Sequence, residues 1–343
     1  MRRLCGIAVA IALLWHAIPA SAAPDPALVA AAEAEGKLVV YSCDPSETPL
    51  YVKAFGAKYP KIKVTSYLAG CWQVYNRHAN EHGAGRTVGS VIMSIDDVLT
   101  KMQADGLLDS YVSPEVQNFP DFVHPPGQVF TYLKFQMLGL VANTDLARGV
   151  KMPQDWQDFA HPLPEWANQM TYYDPRTSSA AMQTLATLYQ NFGPAETTAI
   201  YKGLHDSGAD LAATTSAGLA KLLTGERPIM FYLLSNHYTA ALEKGAPLSF
   251  TVPTSGAIVI KVGTAVLKDA PQPNAAKLFT EFMLSDEQSE IRKHGEYALR
   301  KGIAPPDKMP PLESTKLLPF DPAAATAKQA EMMALWKSAV GVQ

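Results

Sequence analysis

Lys37-Leu38-Val39-Val40-Tyr41, the segment from Leu50 to Tyr59, and Ile62-Lys63-Val64-Thr65-Ser66-Tyr67 together decide the fold. The first run is continuously β-prone, as a strand covered on both faces must be. Ser42-Cys43-Asp44-Pro45-Ser46 breaks it. The middle segment puts Leu50, Ala54 and Phe55 on one helical face and stops before Pro60, which cannot continue a helix. Strand, helix and strand at this spacing predict two parallel strands joined by a right-handed crossover.

The same alternation extends both ways. Ala27 to Glu35 reads as a helix ended by Gly36. Beyond the break at Ala69-Gly70, the sequence predicts a helix over Trp72–Glu81, a strand over Val88–Met93 and a helix over Val98–Ala104. Further strands are expected at Phe135–Ala142, Met170–Tyr173, Met230–Leu234, Phe250–Val252 and Ile258–Val266, with helices at Ser179–Asn191 and Asn274–Leu284. The fold class is α/β.

The N-terminus bears on where the chain works. Arg2 and Arg3 precede an apolar run from Leu4 to Ile18, and Ala20-Ser21-Ala22 supplies the small residues that a signal peptidase reads. Residues 1–22 are therefore expected to be a cleaved signal peptide; the run is shorter than the about 20 residues that span a bilayer. The other reading is an uncleaved anchor. No later stretch is long and apolar enough to be a membrane span. Composition is that of an ordinary globular chain, with 48% hydrophobic and 18% charged residues. Loss of Arg2 and Arg3 turns the formal charge of -3 into -5, which argues against nucleic acid as a partner. More chain remains than one hydrophobic core usually serves, so two lobes are expected. With Cys5 gone, Cys43 and Cys71 are left in an oxidising compartment, where a disulfide is the favoured reading and two free thiols the alternative.

The order KLVVYS (37–42), AFGAKYPKIKV (54–64), AGCWQVYNR (69–77) and LGLVANTDL (138–146) resembles the ferric-ion-binding branch of periplasmic solute-binding proteins. So do YYDPRTSSA (172–180), GERPIMFYLLSNHYTAALEKGAP (225–247) and DAPQPNAAKLFTEFMLSDEQSE (269–290). The resemblance covers nearly the whole chain after the leader. Relatives in this branch bind ferric iron, phosphonates, sugar phosphates, thiamine or polyamines. It implies a two-lobed periplasmic-binding-protein fold of type II, with two crossover hinge strands near Leu140–Asn143 and Ile260–Ala265. Lobe one would hold residues 24–141 plus 265–343, and lobe two residues 142–264. The implied role is capture of a small-molecule ligand in the periplasm by a monomer, without catalysis or cofactor. Delivery would be to the permease and ATPase of an ABC importer; a membrane receptor is the sensor alternative.

Ligands of open α/β sheets bind beyond the carboxyl ends of the strands. That rule selects Ser42 to Glu47, Ala69 to Trp72, Ser94 to Asp97, Asp174 to Ser179 and Ser235 to Tyr238. Within these loops the candidate ligand-binding residues are Ser42, Asp44, Gly70, Trp72, Ser94, Asp96, Arg176, Thr177, Ser178, Ser179, Asn236 and Tyr238. Hydroxyls at the start of the Ser179 helix leave backbone N–H groups facing the cleft, an anion site to which Arg176 adds a bidentate hold. An organic anion is thus the first choice of ligand: a phosphonate, a sugar phosphate or a carboxylate. Trp72, Tyr75 and Tyr232 are candidates for packing on its body. Iron-binding relatives carry two adjacent tyrosines near residue 237; this chain has Tyr238 with His237 beside it. A ferric set would be Tyr238, His237 and Asp44, with Glu47 as the alternative to Asp44. Cys43 and Cys71 follow successive strands, close enough for a bridge.

A rival from another class is His78-Ala79-Asn80-Glu81-His82, which reads H-x-x-E-H. On a helix both histidines share a face and would hold zinc, with Glu81 as general base of a secreted hydrolase. A solvated helix face explains the pattern as well.

Overall fold

The computed structural model describes residues 24–45, 47–287, 290 and 295–342. The leader read in residues 1–22 lies outside them. The opening stretch folds as its pattern predicts. Helix α1 (Pro26–Glu35) precedes strand β1 (Lys37–Ser42), helix α2 (Thr48–Lys58) and strand β2 (Lys63–Leu68). β1 and β2 are parallel, from Lys37 opposite Lys63 to Ser42 opposite Leu68. Then follow α3 (Cys71–Gly83), β3 (Val91–Ile95), α4 (Asp96–Ala104) and the long strand β4 (Thr131–Asn143). The second half contains β5 (Met170–Tyr173), α5 (Ser179–Asp206), β6 (Asp210–Ala212), α6 (Thr215–Thr224), β7 (Ile229–Leu234) and α7 (Ser235–Glu243). β8 (Leu248–Thr251) and β9 (Ile258–Val266) lead back to α8 (Pro273–Leu284) and the short β10 (Tyr297–Ala298). Two helices, Pro322–Ala327 and Gln329–Val340, end the described chain.

The strands form one sheet in the order β2-β1-β3-β9-β4-β7-β5-β6, with β10 and β8 also bonded to β4. β9 inserts between β3 and β4, antiparallel to both. β4 runs through the centre: Thr131 to Leu138 pair with β9, and Leu138 to Ala142 pair with β7. The carboxyl ends of β1 and β3 therefore point toward those of β5 and β7 across the β4–β9 pair. No helix among the described residues is long and apolar enough to cross a membrane.

Each half has its own aromatic core. In the first, Phe55 meets Phe279 and Phe282 edge-on at 5.0 and 5.3 Å. In the second, Phe231 meets Phe159 and Trp156 edge-on at 4.7 and 5.5 Å. The terminal helix crosses to the second half and packs along α5, where the Tyr189 hydroxyl donates to Glu331. α5 is longer than the sequence suggested, because it resumes after a break at Gly193 (φ 80°) with Pro194 starting the new turn.

Close packing makes one glycine of α5 decisive. A Cβ at Gly203 would stand 2.1 Å from the Phe159 carbonyl oxygen, which is backbone and cannot swing aside. Gly203→Ala is expected to destabilise the protein by about 1–3 kcal/mol, the range of overpacked core positions. Urea unfolding beside the parent protein checks it.

Candidate functional site

The five loops chosen from the sequence gather into two neighbouring places. The first is a cleft of about 170 Å³ lined by Trp72, Asp97, Arg176, Thr177, Ser178 and Ser179, with Phe320 and Gln329 reaching over it. Ser178 is the N-cap of α5 and its Oγ accepts from the Ala181 N–H at 3.3 Å. Thr177 Oγ1 donates to the Ala213 carbonyl at 3.0 Å, which fixes the turn. The amides of the first turn of α5 face the cleft with the positive end of the helix dipole.

Arg176 lines the cleft, but its fork is already engaged. Nε lies 3.0 Å from both Asp174 oxygens and Nη2 2.7 Å from Oδ2. The guanidinium also lies 5.3 Å from the Trp336 ring. Burial raises the Asp174 carboxyl, yet Arg176 outweighs it and holds the group below its ordinary value. The bidentate partner that the sequence offered to a ligand is thus a carboxylate two residues away.

At the end of β3 the structure corrects a choice between neighbours. Asp96, picked from the sequence, is buried. It accepts from the Tyr132 hydroxyl at 2.5 Å and lies 3.6 Å from Lys261 Nζ. Asp97 lines the cleft instead. Burial pushes its carboxyl up to about 6, with the Asp96 charge adding to the rise.

Ser42 and Ser94 are likewise fully buried. Ser42 Oγ accepts from the Asp44 N–H at 3.0 Å and from Thr48 Oγ1 at 2.7 Å, and Ser94 Oγ sits 3.5 Å from Cys43 Sγ. Both hold loops in shape rather than face a ligand. Gly70 is the N-cap of α3, its N–H donating to Gln73 Oε1 at 3.1 Å. Cys43 and Cys71 are joined as a disulfide with Cα atoms 4.8 Å apart, which anchors Trp72 beside the β1 loop. Of the other aromatics, Tyr75 is tied to Asp105 and Tyr232 is core, against Tyr173.

The second place brings Asp44, Glu47 and Asn236 of those loops together with two residues the sequence did not single out, Lys134 and Glu296. Lys134, on β4, is fully buried. Its Nζ lies 2.6 Å from Asp44 Oδ2 and 2.6 Å from Glu47 Oε2, and it also pairs with Glu296 Oε2. Glu296 Oε1 accepts from Gln136 Nε2 at 2.6 Å and from Asn236 Nδ2 at 3.1 Å. Burial would strip the ammonium of its charge, but Asp44, Glu296 and Glu47 push its pKa well above the usual lysine value. The Glu296 pKa rises as well: burial drives it up to about 8, although Lys134 pulls it down. The nest joins the loop after β1 to the start of α7. A lysine directly before an apolar run gave no hint of it, since its partners stand far away in the chain.

The residues of the ferric set are not presented as that set requires. Asp44 belongs to the Lys134 nest. Tyr238 is buried with its ring 5.1 Å from Phe250, and burial raises its phenol pKa. His237 is lowered by burial, despite the opposing effect of Asp44.

The H-x-x-E-H segment lies on α3 as expected, but its groups are engaged separately. Glu81 accepts from the Tyr41 hydroxyl at 2.7 Å, from Arg77 Nε at 2.9 Å and from the Val88 N–H at 3.1 Å. His78 is buried with Nε2 3.1 Å from the Leu107 carbonyl, while His82 Nδ1 lies 3.4 Å from Asp269. The donors do not converge on one ion; the motif ties α3 to β1.

Known proteins share this architecture. A family profile described as bacterial extracellular solute-binding protein matches residues 89–323. An uncharacterised protein of Haemophilus influenzae is 28% identical over 279 residues, covering 77% of this chain and 78% of its own. Iron-bound HitA from Pseudomonas aeruginosa superposes with a TM-score of 0.75 at 21% identity, over 88% of this chain and 99% of HitA. AfuA from Actinobacillus pleuropneumoniae, with exogenous fructose-6-phosphate bound, superposes with a TM-score of 0.76 at 22% identity, over 90% and 99%. The fold is therefore that of the two-lobed periplasmic binding proteins, and the chain belongs to the bacterial extracellular solute-binding protein family.

Proposed function

We propose that the protein captures a small organic anion between its lobes, in the periplasm, and delivers it to the permease and ATPase of an ABC importer. The observation that carries this reading is the start of α5, where Thr177, Ser178 and Ser179 meet Trp72 across the cleft. A phosphate or carboxylate there would take the free amides of the first turn, and Trp72 would pack on its body. The sugar phosphate in AfuA supports this class of cargo, and a similar protein of Agrobacterium tumefaciens is the substrate-binding protein of an ABC transporter. Removal of residues 1–22, monomeric action and the absence of catalysis belong to the same reading. So does a division into residues 24–141 plus 265–343 and residues 142–264, with the terminal helix reaching across to α5.

Thermal unfolding of the refolded, ligand-stripped protein tests it against sugar phosphates, phosphonates, carboxylates, polyamines, zinc and ferric citrate. Ligand at 100 times its dissociation constant adds about 2.7 kcal/mol. A rise with an organic anion, lost in Ser178→Ala with Ser179→Ala, is the expected result. A rise only with ferric citrate, lost in Tyr238→Phe, would transfer the assignment to iron. Zinc stabilisation accompanied by peptide cleavage would make the protein an enzyme.

Asp97 sets the pH dependence of that binding. Its carboxyl titrates near 6. Below that it is neutral and donates to an anionic oxygen; above it the charge repels the same atom. Anion affinity should fall severalfold as pH rises from 5 to 8, roughly the effect of 1 kcal/mol. Asp97→Asn should flatten the profile and bind more tightly at pH 8. Titration calorimetry at both pH values checks this.

A further inference from the structure

We infer that Lys134 is a resident cation: its ammonium fills a nest of carboxylates built like a metal site and keeps metal ions out of the junction between the lobes. The inference does not depend on which solute the cleft takes. Asp44, Glu47 and Glu296 each offer an oxygen, and these oxygens lie within 4.8 Å of one another. No other such group of three acidic, histidine or cysteine donors occurs among the described residues. Hard cations such as calcium and the trivalent ions take oxygen donors of this kind. Here the space holds an ammonium that donates to Asp44 and Glu47 and is ion-paired with Glu296.

The surroundings resemble those of a metal ion. Gln136 and Asn236 steady Glu296, and the Glu47 N–H donates to Asp44 Oδ1 at 3.0 Å. Glu47 Oε1 and the Tyr51 hydroxyl are buried at the same place without a hydrogen-bond partner among the described residues. Lys134 reaches in from β4, the strand common to both halves, so the charge that holds the nest together cannot leave with a cargo. A protein of this fold thereby loses a place for a metal and gains a fixed junction.

The test removes the ammonium and keeps the shape. Terbium is the probe, because a tyrosine such as Tyr51 beside the carboxylates sensitises its luminescence. The parent protein is expected to show neither sensitised emission nor a change in melting temperature with terbium or calcium. Lys134→Met should melt lower, recover several degrees with either ion, and give emission at least tenfold above the parent. That emission should vanish when Glu47→Gln is added. If Lys134→Met does not fold alone, refolding with terbium should recover it, and Lys134→Met with Glu296→Gln should fold and still respond through Asp44 and Glu47. Emission in the parent that is lost in Glu47→Gln would overturn the inference, as would variants that gain no response from either ion.

Discussion

Lys134→Met, without added metal, should lower stability by about 3–5 kcal/mol, the cost of breaking a buried ion pair by removing one partner. The side chain is fully buried and so is Glu296, so water cannot replace the lost contact. Asp44 and Glu47 would face each other across the space that the ammonium filled. Urea unfolding at pH 7 is the measurement, and a loss under 1 kcal/mol would mean that the nest relaxes or fills with solvent. The companion variant Glu296→Gln separates the roles. Its carboxyl, raised to about 8, keeps a proton in the folded protein that it releases in the unfolded chain above the ordinary glutamate value of 4.5. Stability should therefore decline as pH rises from about 5 to 8, by up to about 1.4 kcal/mol per pH unit from this one group. Glu296→Gln should remove that slope.

Reduction of the Cys43–Cys71 bridge should cost about 3–4 kcal/mol by the chain-entropy argument for cysteines 28 residues apart. Unlike the lysine variant, it should act on the cleft as well. Cys71 opens α3 and Trp72 follows it directly, so the bridge pins the cleft wall to the loop after β1. Cys43→Ser with Cys71→Ser is expected to unfold at lower urea and to bind an organic anion more weakly. Parallel titrations with and without reductant check both effects. An unchanged urea midpoint after complete reduction would assign the bridge no part in stability.

Much of the framework was legible because each strand carries its own signal. Met170–Tyr173 and Ile258–Val266 begin and end where their apolar runs do, and β1 and β2 pair in parallel as their connecting helix requires. The bridge was legible from compartment and strand order. Less could be read where side chains act at a distance. Asp96 and Asp97 look alike in sequence; only the turn into α4 decides that Asp97 lines the cleft while Asp96 meets Tyr132. Arg176 reads as a ligand hook until the fold shows Asp174 beneath its fork. The nest was invisible, since Asp44 and Glu296 stand 90 and 162 positions from Lys134. The α6 and terminal helices were not read from the sequence.

The position of β9 has a consequence for how the protein comes into being. Growing from its N-terminus, the chain makes β1, β2 and β3 early, yet the neighbour that β3 needs ends at Val266. Until that residue emerges, the first lobe lacks an inner strand of its own sheet, and it cannot close while the ribosome is still building the second.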